Sequence, residues 1–344
     1  MSDGKRFLKQ ATQTDVAQAA GVSTATVSRV LNGSLLVRDE VRARVEAAIS
    51  ALGYIPHESA RSLATRRSRA LGAVIPTLNN AIFASGVNAL EQAARERGYS
   101  LVISISNYDL DLEAVLVRQM IERGVDGLML VGNDHTAAAR ALLATTRLRH
   151  ICAWAWAEDA ASPNIGFDNA AAMAEVVDHL VADGYRRIAM LAGPTAGNDR
   201  ARDRVQGAVK RLAGHGLSLV NLIETPYSIR EARAAAIPLL AARPDAVICG
   251  NDVIAFGVHF AAREAGLAIP DDIAITGFDD LTLTAELSPA ITTVTVPAAE
   301  MGRLCAQHLI DAIETDTDPV SLRLDTRLVI RQTTRAASGA IGLP

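Results

Sequence analysis

Thr12 to Gly33 reads TQTDVAQAAGVSTATVSRVLNG. Its first half, Asp15 to Ala20, suits one short helix. Thr12 is a natural cap for it, and Asp15 sits three residues on, where a carboxylate favours the positive helix end. Gly21 breaks that helix and Val22-Ser23 turn the chain. Ser23 can then cap a second helix, Thr24 to Leu31, which Asn32-Gly33 stop. Val16, Ala17 and Ala20 share one face of the first helix; Val27, Val30 and Leu31 share one face of the second. Two short helices with such faces bury them against each other across a glycine-bearing turn. The result is a helix-turn-helix, whose second helix can enter a DNA major groove. Small Thr24, Ala25 and Ser28 let that helix approach base edges, and Arg29 carries a bidentate donor fork.

Outward from this pair, Asp39 to Leu52 places Val41, Val45, Ala48, Ile49 and Leu52 at helical spacing, so a third helix closes the core. Arg38 stands where a small hydroxyl would cap it, so a weaker cap is expected, with Asp39 and Glu40 still favouring the N-terminus. Gly53 ends the helix and Pro56 extends the chain. Residues 1–70 hold eleven Lys/Arg and six Asp/Glu, net +5, whereas the remainder is net −9 in a chain of −4 overall. A basic head on an acidic body concentrates phosphate attraction at one end.

The run Val16-Ala17-x-x-Ala20-Gly21-Val22-Ser23-x-x-Thr26-Val27-Ser28-Arg29-Val30-Leu31-Asn32, followed by Gly53-Tyr54-Ile55-Pro56, resembles the head of the lactose/galactose-repressor (LacI/GalR) family of bacterial transcription factors. The resemblance continues to about Arg335. It implies that Thr24, Ala25 and Arg29 read bases or nearby phosphates. Thr12, Ser23, Ser28 and Asn32 would position the DNA backbone, and Thr26 and Tyr54 would also belong to the DNA-binding surface. The basic, lightly apolar stretch from His57 to Ser68 would be a hinge helix, with Ala60, Leu63 and Ala64 in the minor groove and Leu63 as a wedge between base pairs. A plain solvated linker is the alternative for that stretch.

From Leu71 apolar strands alternate with amphipathic helices, twice over, ending in the pieces ITTVTV (291–296), Met301 to Ile313 and Leu324 to Arg331. This pattern gives parallel sheets covered on both faces. The expected fold class is a small all-α helix-turn-helix head plus α/β, with two doubly wound parallel-sheet subdomains like those of periplasmic binding proteins. Expected boundaries are a head at 1–57, a hinge at 58–70, an effector-binding and dimerisation domain at 71–336 and a tail at 337–344. The N-subdomain would take about 71–167 plus 298–327, and the C-subdomain about 168–297 plus 328–336.

Ligands of open parallel sheets sit beyond the carboxyl ends of the strands. Residues just after the expected strands are therefore candidates for an effector: Asn80, Phe83, Trp154, Trp156, Arg200, Arg204, Tyr227, Asn251, Asp252 and Asp279. By resemblance, Phe83 stacks on the effector, Arg204 anchors its oxygens, Tyr227 walls it, and Asn251-Asp252 and Asp279 bind hydroxyls. Each has a plainer role open to it: a helix cap for Asp252, core for Phe83, a surface ion pair for Arg204. Trp154 and Trp156, two apart in an expected strand, would share a face and either stack on a sugar or pack the core. An acid common in sugar-binding members aligns with Ala155 here, and a frequent glutamine with Val296. Losing the acid while keeping Arg200 and Arg204 makes the cleft less hostile to an anion. PTLNNAIFA and IGFDN are also similar to gluconate-repressor members, so the expected effector is a sugar acid or a sugar.

There is no nucleophile elbow, P-loop, dinucleotide fingerprint or H-E-x-x-H, and the seven histidines lack metal spacing. No enzyme activity, cofactor or metal is expected. Cys152, Cys249 and Cys305 are odd in number and far apart, which points to a reducing compartment. The N-terminus has no signal-peptide core and no apolar run is membrane length, so the expectation is a cytoplasmic protein without membrane contact. TTRAASGAIGLP at the C-terminus has no heptad, so a homodimer on double-stranded operator DNA is expected rather than a tetramer.

Overall fold

The computed structural model describes residues 11–31, 36–55 and 67–335. The chain forms two compact units, divided between Ser68 and Arg69.

In the first unit, α1 (Gln13–Ala20), α2 (Thr24–Leu31) and α3 (Asp39–Leu52) enclose one small core. Val16, Val27 and Val45 are fully buried there, with Ala17, Ala20, Val30, Val37 and Ala48 around them. The Thr12 side chain accepts from the Asp15 amide while the Asp15 carboxylate accepts from the Thr12 amide, a reciprocal capping box. Gly21 closes α1 at φ 64°, a left-handed conformation that glycine adopts without strain. Ser23 Oγ accepts from the Thr26 amide at 3.2 Å and caps α2. Arg38 is the N-cap of α3 and makes no side-chain cap hydrogen bond. Arg38→Thr should therefore stabilise this unit by about 1 kcal/mol. The check is amide exchange within α3, which should slow; unchanged exchange would mean that the cap adds nothing.

The second unit holds two α/β lobes. In the first, β1 (Ala70–Ile75), β2 (Ser100–Ile105), β3 (Gly127–Val131), β4 (Arg149–Ala153), β5 (Asn164–Gly166) and β11 (Leu322–Arg323) form an all-parallel sheet of order β11-β5-β4-β3-β1-β2. α4 (Ala81–Glu96) and α12 (Ala298–Thr315) cover one face; α5 (Leu110–Glu122) and α6 (Ala137–Thr146) cover the other. Strand side chains alternate between those layers, Leu71, Ala73 and Ile75 to the first and Val74 to the second. α4 and α12 touch backbone to backbone, since a Cβ on Gly302 would lie 1.9 Å from the Gly86 carbonyl oxygen.

In the second lobe, β6 (Ile188–Ala192), β7 (Leu222–Glu224), β8 (Ala246–Cys249) and β9 (Ala274–Thr276) pair in parallel, in the order β7-β6-β8-β9. α7 (Asn169–Ala182) and α8 (Asp199–Gly214) pack on one face, and α9 (Ile229–Ala241) and α10 (Asp252–Glu264) on the other. β10 (Thr293–Thr295) pairs antiparallel with β12 (Arg327–Val329) and bridges to the β9 edge. The chain crosses between lobes three times: after β5, before α12, and between β11 and β12. Neither lobe is continuous in sequence.

Four details differ from the sequence expectation. The strand expected to run to Trp156 ends at Ala153, because Trp154 turns the chain at φ 65°. Trp154 and Trp156 therefore do not share a strand face. The sequence pattern predicts a helix from Arg204 to Gly214; α8 instead begins at Asp199, capped by the Asn198 side chain. The expected final strand, Leu324 to Arg331, is shortened to β12, and a separate strand just before it, β11, joins the first lobe's sheet. A short helix, α11 (Leu283–Glu286), interrupts the link before β10. Among the described residues no helix is long and apolar enough to cross a membrane.

Candidate DNA-reading surface and effector cleft

In the head, Thr24, Ala25 and Arg29 are exposed along α2, while Thr26 and Ser28 are half-buried. Thr12 and Ser23 are exposed but their side chains are held by the caps described above. Tyr54 is buried and belongs to the head core. Asn32, Ala60, Leu63 and Ala64 lie outside the described residues.

The cleft between the lobes gathers Asn80, Phe83, Trp154, Arg200, Arg204, Tyr227, Asn251 and Asp279 around one small space. Ile82, Tyr108, Phe167 and Asn198 complete its lining. Its free volume is about 30 Å³, room for one or two waters. Five of the twelve lining residues are aromatic. Phe83 and Trp154 meet with centroids 5.3 Å apart, and Tyr108 meets Tyr227 across the lobes at 5.3 Å. Gly86 makes the Trp154 position available, since a Cβ there would come within 2.5 Å of the indole. Burial, then the neighbouring Tyr227, pushes the Tyr108 hydroxyl well above its ordinary pKa, so it is neutral.

The polar groups divide by what they already hold. Asn80 and Asn251 cap helices: Asn80 Oδ1 accepts from the Ile82 amide at 3.3 Å and Asn251 Oδ1 from the Ile254 amide at 3.0 Å. Arg200 donates to Asp199 Oδ1 at 2.7 Å and to the Val131 carbonyl at 3.1 Å, so its charge is compensated. Arg204 donates from Nη1 to Asn169 Oδ1 at 2.7 Å, and its guanidinium lies 4.8 Å from the Phe278 ring centroid. Its Nε–H is buried with no hydrogen-bond partner. Burial pushes the Asp279 carboxyl up to about 7, against the opposing pull of the Arg204 charge and a hydrogen bond from Asn251. Arg204 and Asp279 thus present a donor and an acceptor to the same space.

Two expected cleft residues lie elsewhere. Trp156 is half-buried beyond the turn at Trp154 and does not line the cleft. Asp252 is fully buried behind it, where its carboxyl accepts from Thr293 Oγ1 at 2.6 Å and the Leu281 amide at 2.7 Å. Its role is to tie α10 to the returning chain, and a Cβ on Gly277 would stand 2.0 Å from its Oδ1. Asp280, adjacent to Asp279, is likewise engaged, accepting from Arg331 and Thr295 at 2.7 Å each. Tyr108 and Asn198 were not among the expected residues. Asn198 donates to the Tyr227 hydroxyl at 3.0 Å and fixes that ring.

Residues 12–57 match the family "Bacterial regulatory proteins, lacI family", and residues 177–334 match the "Periplasmic binding protein-like domain". The chain is 31% identical to the ribose operon repressor of Haemophilus influenzae, over 94% of this chain and 98% of that one. It is 33% identical to the HTH-type transcriptional regulator MalR of Streptomyces coelicolor, over 96% and 98%. Among solved structures, a lac repressor dimer bound to operator and the anti-inducer ONPF superposes with a TM-score of 0.86 at 29% identity, covering 95% of this chain and 100% of that one. With a head of this build joined to a two-lobed body of this topology, and relatives alike along nearly their whole length, the chain belongs to the lacI family of bacterial regulatory proteins.

Proposed function

We propose that the protein is a ligand-responsive transcriptional repressor. Its head reads half-sites of a palindromic operator as a homodimer, and a small effector in the interlobe cleft sets its DNA affinity. The protein is a regulator and not an enzyme, and the reading places it in the cytoplasm. The observation that carries the proposal is the pairing, in one chain, of a capped helix-turn-helix whose Thr24, Ala25 and Arg29 face outward with a cleft ringed by aromatic walls and the Arg204–Asp279 pair. The first layer supplies groove contacts. The second suits a polyhydroxylated ligand: aromatic faces for a sugar ring, a carboxylate for its hydroxyls, an arginine N–H for its oxygens. Because Asp199 compensates Arg200, one cation, Arg204, is left to favour an acidic group. This supports a sugar or a sugar acid, in keeping with a relative named for the ribose operon. By resemblance, Leu63 would wedge the central step of the operator.

Effector binding shifts the balance between lobe arrangements that hold the two hinges at different spacings, and so biases the DNA-competent state. A mobility-shift assay on palindromic DNA from the gene's own upstream region, with and without D-gluconate and D-ribose, tests the reading. Retention on the palindrome over bulk DNA, altered by one of the two, is the expected result. No preference for any symmetric site at any salt concentration would remove the proposal. Calorimetry with the same two compounds orders acid against neutral sugar.

A further inference from the structure

We infer that the cleft carries its own latch, a set of contacts on the side opposite the interlobe crossings that holds the lobes shut and competes with ligand entry. The inference takes its regulatory meaning from the proposed effector role of the cleft, but its test needs neither DNA nor effector.

Two of the crossings meet the first lobe at β5 and β11, at one edge of its sheet, and in the second lobe the crossing strands β10 and β12 lie beside β9. The contacts in question cluster away from those edges. They come from the turns after β2 and β3 in the first lobe and after β6 and β7 in the second. Arg202 on α8 grips Asp134 with both terminal nitrogens, at 2.6 and 3.1 Å. The Asn133 amide donates to Asp199 Oδ2 at 2.6 Å, and Arg200 donates to the Val131 carbonyl at 3.1 Å. Tyr108 stacks against Tyr227 beside them.

The backbone is shaped for this meeting at two glycines. Gly132 has φ 86°, and a Cβ there would lie 1.9 Å from Arg200 Nη1 and 2.5 Å from Asp199 Oδ1. Gly197, at φ 65°, brings the approach to α8 against Leu110, 3.3 Å from where its Cβ would be. Contacts far from a hinge act with the longest lever on opening. With about 30 Å³ inside, a monosaccharide has no room until they part, so latch and ligand are alternatives. Arg200 and Asp199 are on this reading closure residues, leaving Arg204 and Asp279 as the polar pair available to a ligand.

The test reads opening in the ligand-free full chain. Phe83, 5% exposed and on the cleft wall, is changed to Cys as a reporter; the three native cysteines are buried. Iodoacetamide labelling at this position then tracks the open population. Asp134→Asn and Arg202→Gln should each speed labelling roughly fivefold, the change that a part-exposed ion pair supports. The charge-swapped double variant, Asp134→Arg with Arg202→Asp, should return it toward the starting rate. Amide exchange at Asn133 should follow the same order. Labelling unchanged in both single variants overturns the latch. So does faster exchange at Asn133 with unchanged labelling, which would mean that only the loop frays, and so does a double variant no slower than the singles. None of these outcomes bears on whether the chain binds an operator.

Discussion

Replacing Asp279 with asparagine should flatten much of the pH dependence of stability of the two-lobed unit between about pH 4 and pH 7. In the folded chain, burial holds this carboxyl's pKa at about 7, above the 3.8 it has when unfolded. The native state therefore binds the proton more tightly than the unfolded state. Stability from this group is full below the unfolded value, declines as pH rises, and is gone once pH passes the folded value. The total is about 2–4 kcal/mol, the lower end allowing for solvent that reaches the cleft side of the residue. Asparagine keeps the shape and the hydrogen-bonding capacity and cannot ionise. At pH 8 the variant should unfold at higher denaturant than the parent, and at pH 4.5 the two should nearly coincide. A parent whose stability rises across that interval, or a variant with the same slope, would contradict the assignment. Such a carboxyl is costly in the closed cleft and well suited to accepting a ligand hydroxyl that replaces lost water. Asp252, also pushed up by burial and by its proximity to Asp279, adds a slope of the same sign, so the flattening is incomplete.

What could be read in advance followed from local rules. The head declared itself through Thr12, Asp15, Gly21 and Ser23, because caps and left-handed turns need those residue types within a few positions. The sheets declared themselves through the alternation of apolar runs with helices. Asp279 follows from lying just past a strand end, whereas Arg204, inside α8, follows from the family resemblance. What was not legible depends on contacts distant in sequence or on one backbone angle. Trp154 looks like strand until φ 65° turns it, and that single angle removes Trp156 from the cleft. Asp252 looks like a ligand until Thr293, 41 residues on, is found donating to it. That Tyr54 belongs to the head core is not visible in sequence either, because its core neighbours Val16 and Val45 come from two other turns of chain. Tyr108 and Asn198 sit in loops without periodicity, and only the second lobe's Tyr227 gives them a place. Arg200 looked like a free cation for an anionic ligand; whether its charge was spare depended on how Asp199 and the turn at Gly132 meet it in space.

Arg29→Ala should cost about 1–3 kcal/mol of specific operator binding, roughly a five- to 150-fold loss, while leaving the head folded. Arg29 is exposed on α2, and the neighbouring Val27 and Val30 carry that helix's packing, so truncation opens no cavity in the head. Its charge and fork are thus available to DNA. Two contacts are open to it, and they differ in a measurable way. An arginine on a guanine edge confers discrimination, so its loss weakens the true site far more than bulk DNA and relaxes preference at one position of the half-site. An arginine on phosphate confers affinity alone, so its loss weakens all duplexes alike and lowers the salt slope by about one. Its place on the recognition helix, with small Ala25 one turn earlier, favours the base edge: the small residue lets the helix axis lie deep enough for the fork to reach. Titrations of parent and variant on specific and scrambled duplexes, at several salt concentrations, separate the two. Ala25→Leu supplies the matching control, since bulk at the approach surface should impair the specific complex even with Arg29 in place. If the specific complex survives both changes at parental affinity, α2 is not the element that enters the groove.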